Sequence, residues 1–302
     1  MRKEVTLQLI TIGVVVITIA SSYVLLPKTY VQVSIGRLAL SVPIPYGILG
    51  VTLTAIAIAI ELLPLSITEY RLWKVNNDIL MDMPAVIRVL RDGLSSGQPL
   101  SGIAETLARA GKGRLGRIIA ESIRKESMGI TTMKEDLTSV SKELGNNYLA
   151  MLAVILDTAV KSGAKLQETL DTAYKSFEDL VSYYLERANQ VKPYLALIYV
   201  VMVIYIVLAG IIIYLMMPSI SRITITTSTG TITAPTIPIV DTQLFSSIIV
   251  MSGVIQSIIA GVIVGRIVYG RPIVGLLHAS ILIITLTLIN YIMYLTIYLS
   301  II

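Results

Sequence analysis

Few residues in this chain are able to do chemistry. It has one histidine, His278, and no cysteine, which excludes cysteine nucleophiles, thiolate metal sites and disulfides together. His278 lies early in an apolar stretch that holds no second ionisable group. Of its two readings, a proton relay and a hydrogen bond across a helix interface near the inner face, the residues favour the bond. Asn290 and Gln256 read the same way, as polar links between helices. Glu61 stands four residues before Leu65 in another apolar stretch, where a carboxylate is costly unless it snorkels or pairs. It reads as a structural contact with the base of the neighbouring charged block rather than as a transport group. Gly111-Lys112-Gly113-Arg114 has glycines and a lysine but neither the spacing nor the preceding apolar strand of a Walker A loop. Any nucleotide energy this chain uses therefore comes from another polypeptide. No catalytic residue, cofactor site or metal site is expected.

The strongest functional pattern is a basic run: Arg109, Lys112, Arg114, Arg117, Arg124 and Lys125. Lys112 and Arg114 occupy a glycine-flanked loop, and Arg117 and Arg124 fall two turns apart on the helix that follows. Three uses fit it: docking an acidic protein surface, lying against anionic lipid headgroups, or forming a solvated face. Docking leads.

The elements that must carry these residues divide sharply by charge. Sixteen acids and seventeen bases fall within Ile67–Lys192, against three acids and seven bases elsewhere. Mean hydropathy is +0.80 and the charged fraction only 14%, well below that of a soluble domain. Five windows are long enough to cross a bilayer: Val5–Leu26, Ile44–Leu65, Tyr194–Met217, Phe245–Val264 and Val274–Ile302. The expected architecture is an all-α integral membrane protein in three parts. Residues 1–66 form two membrane helices with a β-prone outer loop, and residues 67–192 form one helical bundle inserted between the second and third spans. Residues 193–302 form three more spans, with a Ser/Thr-rich outer loop at 219–243. Arg2, Lys3, Arg266 and Arg271 share a side with the charged block, which the positive-inside rule makes cytoplasmic. The C-terminus then lies outside. Lys28 and Arg37 in the first outer loop oppose that orientation weakly. Ala20-Ser21-Ser22 offers a signal-peptide alternative for the first span. The block is nearly balanced in charge, so nucleic acid is not an expected partner.

Alternation in Tyr30–Val42 around Gly36-Arg37 predicts a β-hairpin with a type II′ turn. Arg222–Val240, rich in Ile and Thr, predicts a second and weaker one. Within the block the apolar residues follow helical spacing throughout. One helix is expected from about Met83, with Pro84 in its first turn. Others follow Pro99, then span Arg114–Met128, Thr132–Leu144 behind the capping box Thr132-x-x-Glu135, and Asn147–Ser162, which should bury Leu149, Leu152, Leu156 and Val160. The last starts near Lys165 and runs toward Pro193. Gly97, Gly129 and Gly163 recur at near-even intervals close to helix C-termini, where left-handed geometry favours glycine. The pattern is an antiparallel bundle of helical hairpins.

The segment Met83–Phe177 resembles the type II secretion F domain. The resemblance is carried by Leu90-Arg91-Asp92-Gly93-Leu94-Ser95-Ser96-Gly97-Gln98-Pro99-Leu100 and Ser162-Gly163-Ala164-Lys165-Leu166. That domain belongs to the membrane platform proteins of type IV filament systems: bacterial type II secretion, type IV and Tad pili, and archaeal pili and archaella. The resemblance implies a platform that couples a hexameric cytoplasmic secretion ATPase to pilin extraction and filament assembly. Its implied partners are that ATPase, pilins, membrane lipid, and itself or a second platform subunit, since this chain has one copy of the bundle where many relatives have two. Many bacterial relatives place a glutamate just before the third glycine; this chain has Lys161-Ser162-Gly163, so no acidic or metal-binding role carries over. The alternative reading is a transporter or channel subunit, which usually shows charged or broken helices at the bilayer midplane.

Overall fold

The computed structural model describes residues 13, 27–35, 38–109, 113–162, 166–216 and 241–301. The first predicted span (Gly13 apart), the second predicted hairpin, Lys112 and Gly163 lie outside them. The described elements begin with a two-stranded antiparallel sheet, β1 (Lys28–Ile35) and β2 (Leu38–Pro45), in register from Lys28↔Pro45 to Ile35↔Leu38. Eight α-helices follow: α1 (Gly47–Ser95), α2 (Leu100–Arg109), α3 (Gly113–Ser127), α4 (Met133–Leu144), α5 (Asn147–Ser162), α6 (Leu166–Ile211), α7 (Thr242–Tyr269) and α8 (Leu276–Ile301). A π-helical turn, Ile212–Met216, extends α6, and a 3-10 turn, Pro272–Gly275, precedes α8.

Four described helices are long and apolar enough to cross a membrane: Gly47–Ser95, Leu166–Met216, Thr242–Tyr269 and Pro272–Ile297. The chain is a multi-pass membrane protein. Its contacts divide it into two compact units. One holds Tyr70–Gln190, and described residues on either side of that segment form the other.

The first unit is helical, with α2 packed on α3 and α4 on α5. Its core gathers Ile79, Met83, Ile87 and Leu90 of α1 with Ile103, Leu107, Leu115, Ile119, Ile123, Leu137, Leu149, Leu152, Leu156, Leu170 and Phe177. Two expectations need correction. α1 does not start near Met83: it is helical without a break from Gly47 through Pro84 to Ser95. Leu80, Met83, Val86 and Ile87 are all buried on both sides of that proline, and their packing outweighs a local penalty of about 3 kcal/mol. Val160 is 49% exposed, because Ala159 takes the core position one residue earlier.

The second unit packs Val51, Ala55 and Ala59 of α1 with Ile206, Ile213, Val250, Val254, Ile283 and Leu286. α7 and α8 approach almost backbone to backbone. A Cβ on Gly261 would stand 2.6 Å from Gly275 O, and one on Gly265 would stand 2.5 Å from Pro272 O. His278 of α8 meets two tyrosines: Tyr199 Oη lies 2.7 Å from Nδ1, and Tyr269 Oη 3.1 Å from Nε2. It thus ties α6, α7 and α8 together. Asn290 is joined to Tyr214, whose hydroxyl donates to the Asn290 carbonyl at 3.2 Å. Gln256 departs from the expectation: it is exposed, without a hydrogen-bond partner among the described residues. Glu61 departs too. It is only 5% exposed, yet neither carboxylate oxygen has a partner among those residues.

Candidate partner-docking face

α3 is fixed by its first turn. Asp82 of α1 reaches its N-terminus, where Leu115 N–H donates to Asp82 Oδ2 at 3.3 Å and Arg114 N–H donates to the same carboxylate. A carboxylate there satisfies backbone donors that the helix itself leaves free and meets the positive end of the helix dipole. Gly113 allows this approach on two counts. Its φ is +65°, and a Cβ would lie 1.9 Å from Asp82 Oδ2. Burial pushes the Asp82 carboxyl above the usual carboxylate range, and neighbouring Asp78 pushes the same way. The two backbone bonds and the Arg117 charge pull it back.

With that end held, the helical period sorts the remaining residues. Leu115, Ile119, Ser122 and Ile123 turn inward and are buried. Arg114, Arg117, Glu121, Arg124 and Met128 turn outward in one row and are exposed. The inward face is locked to α4: Ser122 Oγ donates to Asp136 Oδ2 at 2.6 Å, and Lys125 Nζ donates to Asp136 Oδ1 at 3.0 Å. The start of α4 is set by Thr132, which accepts from Glu135 N–H at 3.2 Å in a complete capping box.

The basic run is therefore split. Arg114, Arg117 and Arg124 share the outward row, and the side chains of Arg114 and Arg124 have no ion-pair partner among the described residues. Arg117 Nε donates only to Gly113 O of its own helix, at 3.4 Å. Lys125 is drawn aside by Asp136 and by Glu121, the latter at 3.3 Å. Hydrogen bonds from its ammonium to Asp136 and then Glu121 raise its pKa. Arg109 pairs with Glu105 on α2 at 2.6 Å. Gly97 and Gly129 have φ of +70° and +71°, just past the ends of α1 and α3.

Around this row the surface is hollowed twice. A cleft of 710 Å³ opens between α1 and α3, lined by Asp78, Asp82, Arg114, Arg117 and Glu121. A smaller hollow of 380 Å³ lies farther along, between Arg117, Glu121, Arg124 and Met128. The acids of α1 were not singled out in the sequence. They lie some thirty residues from α3, and no local spacing signals a cap supplied from that distance.

Residues 86–218 match the family model for type II secretion system (T2SS), protein F. The chain carries the type II secretion F domain. That match covers most of the first unit and runs on through the apolar part of α6. F-domain proteins are membrane platform proteins of secretion and pilus systems, not known as enzymes, and they work with secretion ATPases and pilins. No curated protein and no solved structure matches the chain.

Proposed function

We propose that this chain is the platform of a type IV filament machine of the archaeal pilus, archaellum or Tad-like kind. In this reading residues 67–192 form a cytoplasmic bundle between the second and third of five spans, with the C-terminus outside. The bundle docks a hexameric secretion ATPase through the outward row of α3, and motion in that ATPase helps lift pilins from the membrane into the filament. The platform pairs with itself or with a second platform subunit, and it does no covalent chemistry of its own.

The observation that carries the reading is the F-domain match across the helical unit and the apolar stretch that follows it. The form of the connections supports it. Both α1 and α6 combine an apolar span and a part of the bundle in one helix, and a helix transmits displacement that a Gly/Ser linker would absorb.

The test is co-purification of the full chain with a candidate secretion ATPase. Wild-type protein retains the ATPase, and the triple reversal Arg114→Glu, Arg117→Glu, Arg124→Glu loses it. Retention by the triple variant would remove α3 as the docking face, and absence of binding by the wild type would contradict the coupling role.

A further inference from the structure

The turn that ends α3 differs from its counterparts. Gly129 N–H donates to Glu126 O at 2.9 Å and Ile130 N–H to Lys125 O at 3.0 Å, with Gly129 in left-handed geometry. In this kind of helix stop the residue after the glycine commonly packs back on the last turn. Ile130 does not: it is 68% exposed, and Met128 before the glycine is 65% exposed. The matching turn at the end of α1 has a polar residue, Gln98, after Gly97, and the one ending α4 has a buried asparagine, Asn146, after Gly145. Only at α3, among these three, is an apolar residue in that position held out into solvent. The same end of α3 terminates the arginine row, with Arg124 one turn before Met128 and the 380 Å³ hollow between them.

We infer that Met128 and Ile130 are the apolar anchor of a protein–protein interface and that Arg114, Arg117 and Arg124 are its charged rim. The occupant is a folded protein surface with an apolar pocket bordered by carboxylates. Resting on the platform reading above, that protein is the secretion ATPase. The composition favours a protein over a bilayer. Arginine and methionine are enriched in protein interfaces whereas lysine is depleted, and the exposed cations of this row are arginines. Glu121 stands exposed inside the row. An anionic headgroup layer repels it, whereas a protein surface can match alternating signs. An anchor in a desolvated pocket supplies most of the affinity in such interfaces, while rim charges mainly set encounter rate and salt dependence.

The test uses the full chain in nanodiscs with the purified ATPase. Met128→Ser together with Ile130→Ser should raise Kd by roughly tenfold to a hundredfold and leave its salt dependence unchanged. The triple arginine reversal sets like charges against the pocket's carboxylates, so it should slow association until the complex is no longer retained, a loss that eases as salt rises. Both anchor side chains are exposed, so the serine variant keeps the wild-type melting temperature. The chain has no cysteine, so Met128→Cys gives a single site for an environment-sensitive fluorophore, whose emission should shift to the blue when the ATPase is added. A wild-type Kd for the double serine variant overturns the anchor, as does a blue shift on reconstitution into anionic lipid before the ATPase is present. If charge reversal still abolishes binding in that case, the platform reading stands without the anchor. If the wild-type chain fails to bind the ATPase, both fall.

Discussion

At Gly113 one missing side chain decides where a helix begins. Gly113→Ala meets both a positive φ, which costs about 1–2 kcal/mol, and a clash with the Asp82 carboxylate that caps α3. The cap itself is worth about 1 kcal/mol. The variant should lose roughly 2–3 kcal/mol, seen as lost amide-exchange protection in the first turns of α3 while the apolar helices keep theirs. Asp136 makes the second residue-scale case. Burial works against its charge, yet the bonds from Ser122 and Lys125 more than offset this and hold the carboxyl below the usual range. Asp157 is lowered likewise by its bonds to Lys134 and Lys161. A carboxyl whose folded pKa is depressed gives stability that is complete above its unfolded value, near 3.9, and lost as pH falls through the folded one. Stability against heat should therefore fall below about pH 4. Asp136→Ala should cost about 1–3 kcal/mol at neutral pH, because it strands the buried Ser122 hydroxyl, and should flatten that acid dependence. Asp82 acts the other way: its pKa is raised, so its charge costs stability above the folded value and acid relieves the cost.

At the scale of elements, the sequence was most legible where the signal is local. The Thr132–Glu135 capping box is formed as spaced, and α5 spans Asn147–Ser162 as its periodicity predicts. The hairpin expected in Tyr30–Val42 agrees with the antiparallel pairing of β1 and β2, while its turn residues Gly36 and Arg37 lie outside the described residues. Legibility fails where distant packing overrules a local rule. Pro84 carries the mark of a helix start, but buried neighbours hold it inside α1. Val160 fits the apolar spacing, but a period of 3.6 brings Ala159 to the core instead. Close packing of α7 on α8 is another such feature, because glycines at 261, 265 and 275 read individually as neutral. Gly265→Leu should force the two helices apart against the backbone of Pro272 and Gly275. The expected readout is a lower melting temperature in detergent and faster proteolysis of the loop at 270–272, with membrane insertion unchanged.

For the whole molecule, charge segregation separated apolar from charged sequence before any element was assigned, because bilayer and water sort residues coarsely and over long stretches. It could not distinguish which cations face outward. For Lys125 that depends on Asp136 of α4 drawing it aside, a contact visible only once the helices are packed. The proposed topology predicts the pattern of single-cysteine labelling in intact cells. A cysteine at Ser139 should resist a membrane-impermeant thiol reagent, and one placed within residues 219–241 should react. The proposed role is tested most directly by counting surface filaments on cells lacking this chain while their secretion ATPase and pilins are still made. The account predicts bare cells with pilins retained in the membrane, restored by the wild-type chain and not by the Arg114/Arg117/Arg124 reversal; filaments at wild-type numbers without the chain would contradict it.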